Sequence, residues 1–175
     1  MRITRDDEPV AVIAAGHSAA AGVLRKLLDR PVEELTPYDL AMGAVQPRNY
    51  RAVVVENFVP ESVQGALNEC AAVRWLIPGR PLTVVSLDDP AGRRLAAWGQ
   101  DRVFSYSDGD PRADLAAKNV NLRWGRLEFD ALTQHELTRI RLPGEADLYG
   151  TLAALGCALG LGVPLNEAAN RLSVT

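Results

Sequence analysis

The strongest constraint on the fold is an alternation of short apolar runs with segments of helical spacing. Val10–Ala15 is a continuous apolar run, typical of a strand covered on both faces. Three further strands are predicted: the buried Arg51–Glu56, then Leu82–Leu87 and the shorter Arg102–Tyr106. The segments between them are predicted as helices: Ala19–Leu28, Ser62–Leu76 and a helix from Asp88 to Trp98. This repetition predicts an α/β fold, a mostly parallel sheet flanked by helices and joined by right-handed crossovers.

The pattern changes after the fourth strand. Apolar and polar residues then alternate in three stretches, Asn119–Trp124, Arg126–Leu132 and Glu136–Leu142, which predicts an added antiparallel meander with one face in solvent. Helices are predicted over the small-residue segment Asp147–Leu161 and over Leu165–Leu172. Residues 29–50 hold three prolines and are predicted as connection, with a short helix near Asp39–Gly43. The whole chain, residues 1–175, is expected to form one domain.

Net charge, apolar stretches and cysteine positions predict which partners and which compartment suit this protein. The net charge is -3 and no basic stripe is present, so we expect no nucleic-acid partner. The longest apolar stretch, Leu148–Val163, is too short for a membrane span, and the N-terminus has no apolar signal region. We therefore expect a cytoplasmic protein with no membrane partner. Cys70 and Cys157 lie in apolar helical patterns, as buried free thiols do in a reducing compartment.

The first predicted strand, turn and helix occupy the position of a phosphate-binding loop. Between Gly16 and Gly22 this turn reads His-Ser-Ala-Ala-Ala and contains no lysine. A helix start still offers free amides and a positive dipole end to an anion. The candidate nucleotide- or anion-binding residues are Gly16, His17, Ser18, Ala19, Ala20 and Ala21.

Three phrases, in this order, resemble the central ATP-binding domain of the Mur ligase family. They are VVSLDDPAGRRLA (Val84–Ala96), NVNLRWGRLEFDAL (Asn119–Leu132) and the segment from Ile140 to Leu172 that begins IRLPGEADLYG. The resemblance extends from about Val10 to Leu172. It implies a P-loop-NTPase-like sheet and ATP-dependent amide-bond formation, with ATP and Mg as cofactors.

The resemblance also implies that much of this chemistry is missing. The family's loop usually reads Gly-Thr-Asn-Gly-Lys-Thr; its second glycine, lysine and threonine correspond here to Ala19, Ala20 and Ala21. Lys26 lies too far along the helix to replace the lysine. The family's adenine-contacting positions carry Ala146-Asp147 and Gly150. The chain also stops where the family's C-terminal domain would begin.

Glu56 ends the second strand at the place where the family has a magnesium-binding Glu. Two interpretations remain open for it: a metal ligand, and a strand-end carboxylate that caps the following loop. Other candidate chemistry is weaker. Asp88-Asp89-Pro90 is interpreted as an acidic helix start, His17 and His135 have no partners at zinc spacing, and Trp75, Trp98 and Trp124 are assigned to core or partner packing.

Three functional hypotheses follow. The first is a stand-alone, degenerate Mur-ligase-like domain without catalytic residues or a cofactor, serving cell-wall or peptide-ligase biology by binding a protein partner, a second copy or a small anion. The second is an ATP-dependent amide ligase of the peptidoglycan or polyglutamyl type, completed by partner chains, with Glu56 and the loop amides holding Mg-ATP. The third is a sensor that binds nucleotide or a cell-wall precursor without turnover.

Overall fold

A computed structural model describes residues 7–14, 18–36, 39, 49–56, 81–98, 102–144 and 146–173. In this part of the chain eight strands form one sheet in the order β2-β1-β3-β4-β5-β6-β7-β8. The strands are β1 (Val10–Ile13), β2 (Val32–Leu35), β3 (Ala52–Val55), β4 (Leu82–Ser86), β5 (Val103–Ser107), β6 (Leu115–Arg123), β7 (Arg126–Leu132) and β8 (Leu137–Pro143). The described helices are α1 (Ala19–Leu27), α2 (Pro90–Trp98), α3 (Leu148–Gly160) and α4 (Leu165–Ser173).

The parallel part of the sheet is buried on both faces, as the continuous apolar runs predicted. Strands β1, β3 and β4 are buried along their whole length and pair in parallel. Alternate residues enter two separate apolar clusters: Val12 and Val54 pack with α1 and α3, while Ile13 and Val55 pack with α2. Helices therefore cover both faces of the sheet, which confirms the predicted fold class.

The antiparallel meander continues the same sheet rather than forming a separate one. The first residues of β6 pair in parallel with β5, and β6, β7 and β8 then pair antiparallel in sequence order. Along β7, buried residues alternate with partly exposed ones, so the prediction of one solvent face is confirmed. Strand β6 begins at Leu115, before the predicted start at Asn119. The alternation did not reveal this part of the strand, because its first three residues are all buried.

The stretch predicted as connection contains an additional strand. Strand β2 pairs in parallel with β1 at the edge of the sheet. Its sequence, VEEL, is neither continuously apolar nor alternating, and its residues are only partly buried, so periodicity gave no signal. Asp39 is helical, and the remainder of the helix predicted near Asp39–Gly43 lies outside the described residues, as does the whole predicted helix Ser62–Leu76.

Helix α3 lies at the centre of one helical layer. It is buried from Gly150 to Ala158 and packs on the chain's own sheet and on α1, so its small residues serve internal packing. For example, a Cβ at Gly156 would stand 3.2 Å from both Phe104 and Val84. The helix ends before Gly162, whose φ of +97° suits glycine. No helix in the described ranges combines the length and apolar character needed to cross a bilayer.

Cys157 in α3 is expected to resist alkylation in the folded chain. It is a free, fully buried thiol, and burial raises its pKa to about 12. The folded state thus holds this proton more tightly than the unfolded chain, so any stability linked to it is lost as the pH rises above about 9. Iodoacetamide labelling, read by mass spectrometry of the Cys157 peptide, should be at least about tenfold slower in buffer than in urea. Equal rates would contradict the buried position.

Candidate functional site

The candidate site begins at the N-terminus of α1, which follows the carboxyl end of β1. Ser18 is the N-cap: its backbone is extended, with φ -87° and ψ 117°, and its Oγ accepts a hydrogen bond from the Ala21 N–H at 2.9 Å. A serine in this position satisfies one of the amides that a helix start leaves without an intrahelical partner. Gly16 and His17 lie outside the described residues.

The Glu56 carboxylate occupies this helix start. Its Oε2 accepts a hydrogen bond from Ser18 Oγ at 2.6 Å, and its Oε1 accepts from the backbone N–H groups of Ala19 at 3.1 Å and Ala20 at 3.3 Å. Strand β3 delivers Glu56 to this place, because the Glu56 N–H donates to the Ile13 carbonyl at 3.0 Å and so holds the ends of β3 and β1 together. An internal carboxylate thus takes the free amides that a helix start offers to an anion.

The residues at this helix start do not fit a magnesium–phosphate group in their present arrangement. The serine hydroxyl, the carboxylate and two amides are already paired with one another. Within the described ranges, no group of three or more His, Cys, Asp or Glu side chains is placed to hold a metal ion. The described contacts of Glu56 are with the start of α1, and the loop that it was expected to cap lies outside the described residues, so both interpretations of Glu56 stay predictions.

The start of α1 also packs unusually closely on the start of α3. Asp147 caps α3 by accepting a hydrogen bond from the Gly150 N–H. A Cβ built on Gly150 would lie 2.6 Å from the Ala19 Cβ and 3.0 Å from the Ala20 nitrogen. Residue 150 must therefore be glycine as long as residue 19 is alanine. Positions 19 and 150 are therefore in contact. In the sequence they are two separate departures from the family pattern.

A cavity of about 460 Å³ opens beside the same two helices. Its wall includes Ala19, Val23 and Lys26 of α1, Pro143 at the end of β8, and Asp147 and Thr151 at the start of α3. Lys26 lies in the last turn of α1, is exposed, and contributes to this wall. Among the described residues, the wall is mostly apolar and carries one cation, Lys26, and one carboxylate, Asp147.

Sequence reasoning missed a second polar cluster, centred on Asp88. Its carboxylate accepts hydrogen bonds from Ser107 Oγ at 2.6 Å, the Asp108 N–H at 2.7 Å and the Tyr149 hydroxyl at 3.1 Å. Burial, and then the charge of Asp88, raises the pKa of Tyr149 to about 12. Asp89 instead caps α2 through the Ala91 N–H at 2.9 Å, which confirms the acidic helix start. Asp88 is fully engaged in tying α3 to the ends of β4 and β5.

Comparison with known proteins gives a consistent result. No protein-family model matches the chain. It is 31% identical over 142 residues to the UDP-N-acetylmuramoyl-L-alanyl-D-glutamate–2,6-diaminopimelate ligase of Pseudomonas aeruginosa, covering 77% of this chain and 29% of that protein. It is 41% identical over 90 residues to the UDP-N-acetylmuramate–L-alanine ligase of Aquifex aeolicus, covering 50% of this chain and 20% of that protein.

Two solved structures share the fold of this chain. The UDP-N-acetylmuramoylalanyl-D-glutamyl-2,6-diaminopimelate–D-alanyl-D-alanyl ligase of Acinetobacter baumannii matches with a TM-score of 0.77 at 16% identity, over 97% of this chain and 46% of that one. The MurF ligase of Thermotoga maritima in complex with ADP matches with a TM-score of 0.69 at 14% identity, over 97% of this chain and 48% of that one.

The chain is a Mur ligase family domain. This confirms the resemblance that the three sequence phrases indicated. The domain spans less than a third of the two curated ligases and just under half of the two solved chains. What the Mur ligases do as whole proteins is therefore a matter of proposal for this chain.

Proposed function

We propose that this chain is a non-catalytic Mur ligase family domain whose nucleotide position is closed by its own Glu56. It acts in cell-wall biology as a binding or interaction module, with a protein partner or a second copy of itself. The observation that carries this proposal is the Glu56 carboxylate on Ser18 Oγ and on the amides of Ala19 and Ala20. The setting follows from relatives that are ligases of UDP-N-acetylmuramoyl compounds.

Three properties of the site support the loss of catalysis. The position of the phosphate-binding lysine is Ala20, and Ala21 stands where the resemblance implies a metal-binding threonine. Phosphoryl transfer depends on cations that neutralise the phosphate charge, and neither alanine supplies or holds one. With no lysine or bound cation to offset it, the Glu56 carboxylate on the helix amides opposes the binding of a phosphate at the same place.

We expect calorimetric titration with ATP and magnesium to show no binding at ATP concentrations up to about 1 mM. Any dissociation constant would then be weaker than about 1 mM, too weak for a useful affinity. A full-length UDP-N-acetylmuramate–L-alanine ligase, titrated in parallel, provides the positive control. Magnesium-dependent binding that a Ser18→Ala variant loses would overturn the proposal. It would favour the amide ligase completed by partner chains, and an assay of phosphate release with those chains would then test turnover.

The cavity beside α1 and α3 favours one further candidate function, a sensor that binds a small ligand without turnover. Its volume of about 460 Å³ lies in the range of small-molecule sites, and its apolar wall carries Lys26 and Asp147 as polar groups that can orient a ligand. A nucleotide base or a cell-wall precursor has this mixture of apolar and polar surface. The ATP titration and a second titration with a UDP-N-acetylmuramoyl peptide separate this sensor from the interaction module.

A further inference from the structure

The hairpin formed by β6 and β7 ends in a turn of unusual composition. Trp124 and Gly125 occupy its two central positions with φ +55° and +68°, which is the type I′ geometry. Asn-Gly is the preferred pair there, because both residues tolerate a positive φ, whereas a bulky residue in this conformation is strained. The Trp124 side chain is 97% exposed. Trp124 therefore has a strained backbone conformation, and its side chain is not buried to compensate for that strain.

The same turn brings together two arginines of like charge. Arg123 and Arg126 are directly opposite each other across the hairpin, an arrangement that destabilises a strand pair. Neither guanidinium has a hydrogen bond or an ion pair within the part of the chain that the structure describes. Arg139, lower in the same meander, contrasts with them because it bonds Asp130 at 3.0 Å and Glu128 at 3.1 Å.

These residues line a shallow hollow on the solvent face of the hairpin. The hollow has a volume of about 290 Å³, and its wall consists of Asn121, Arg123, Trp124, Arg126 and Glu128. On the opposite face Leu122, which pairs with the buried Leu127, is 68% exposed. The row of apolar side chains on this face of the sheet therefore extends beyond the buried core to Leu122, which is exposed to solvent. The tip of the β6–β7 hairpin therefore carries an exposed aromatic residue, two free arginines and an exposed leucine.

We propose that this tip, residues 120–128, is the docking surface for an acidic segment of a partner protein. A carboxylate between Arg123 and Arg126 would remove the repulsion that the fold leaves in place, and Trp124 would cover an apolar side chain of the same segment. Trp and Arg are the residues that dominate protein–protein interfaces when they are buried by a partner. The docking role deepens the proposed interaction function, but it does not depend on a closed nucleotide site.

Two features favour a protein segment over other occupants. The chain carries a net charge of -3, which opposes long-range attraction to nucleic acid or to an anionic membrane, whereas a short acidic segment needs only the local positive charge. A bulge between Lys118 and Asn121, with Asn119 at φ +51°, bends the outer half of β6. Within the described residues the outer half of β6 pairs only with β7, and the bulge disrupts the regular backbone that an added strand would need, so recognition falls to the side chains at the tip.

Fluorescence anisotropy with a labelled peptide tests this surface. The probe is an acidic peptide of about eight residues with a central Leu-Phe pair, and its matched control replaces each Asp and Glu by Asn and Gln. We expect the chain to bind the acidic peptide more than about tenfold more tightly than the neutral one, and the Arg123→Gln/Arg126→Gln variant to lose that preference. Trp124→Asn should weaken binding without lowering the melting temperature. Arg94→Gln, an exposed arginine on α2, is the control variant and should bind normally.

Several results would overturn the docking role. They are an absence of peptide binding at millimolar concentration, equal affinity for the two peptides, and binding that the arginine variant retains. Tighter binding to phosphatidylserine vesicles or to duplex DNA than to the peptide would also overturn it and would identify a different occupant. Because the nucleotide proposal is tested by ATP titration, failure of one leaves the other measurable.

Discussion

Replacing Gly150 by alanine is expected to lower the free energy of unfolding by about 3 kcal/mol, the upper end of the cost of overpacking a close contact. The new Cβ would lie 2.6 Å from the Ala19 Cβ and 3.0 Å from the Ala20 nitrogen. Neither neighbour has a flexible side chain that can turn away, so α1 and α3 would have to separate. Urea denaturation, followed by circular dichroism, measures the change in stability.

A second substitution tests the cause. In an Ala19→Gly background the nearest atom is removed, so Gly150→Ala should cost at least about 1 kcal/mol less, a coupling typical of residues in contact. Gly22→Ala in the same helix α1 is the matched control, because a Cβ there meets nothing within 4 Å. It should raise stability by about 0.5–1 kcal/mol through its helix propensity. An unchanged cost of Gly150→Ala in the Ala19→Gly background would show that the contact is not the cause.

This contact changes how the departures from the family pattern are understood. The resemblance implies glycine at position 19 and an adenine-contacting asparagine at position 150, and this chain has alanine and glycine there. Position 19 carries a Cβ here and position 150 does not, the reverse of what the resemblance implies. The two departures from the family pattern meet at one packing contact. Restoring the asparagine alone would create a steric conflict with Ala19.

The sequence predicted the elements whose signal is local. The buried runs gave β1, β3 and β4, the alternation gave β7 with its observed bounds, and Gly162 marked the end of α3. It missed β2, whose partly exposed VEEL segment has neither signal. Of the two interpretations of the tryptophans, core packing is excluded for Trp124 and partner packing stays open for it, while Trp75 lies outside the described residues. A turn that holds a bulky residue at positive φ cannot be distinguished from a strand end by periodicity.

The candidate site was predictable only in part, because its contacts join residues distant in the chain. Ser18 and Glu56 were both singled out from the sequence, but their hydrogen bond depends on β1 and β3 being neighbours in parallel register. The Asp88–Tyr149 hydrogen bond joins residues 61 positions apart and had no sequence signal. The sequence has alanine at positions 20 and 21, where the resemblance implies lysine and threonine, whereas the contact of Glu56 with the helix start required the fold.

Replacing Glu56 by alanine is expected to lower the free energy of unfolding by about 2 kcal/mol, a usual contribution for hydrogen bonds to a charged acceptor. The substitution leaves Ser18 Oγ and two helix amides without their carboxylate. Glu34→Ala is the control, because its ion pair with Arg25 at 3.1 Å joins two largely exposed side chains. Such surface pairs contribute at most about 1 kcal/mol. Urea denaturation of the three proteins measures the difference.

Inorganic phosphate then distinguishes a simple cap from a closed anion site. With Glu56 removed, the helix start is open, and phosphate at about ten times its dissociation constant should restore about 1.4 kcal/mol of stability. The original chain and the Glu34→Ala variant should gain no more from phosphate than from an equal ionic strength of chloride. Equal stabilisation of all three would mean that Glu56 does not close the site. Stabilisation by phosphate of the Glu56→Ala variant alone would mean that the helix start keeps its affinity for anions. The Glu56 carboxylate would then be the group that prevents anions from binding there, as the proposed loss of catalysis requires.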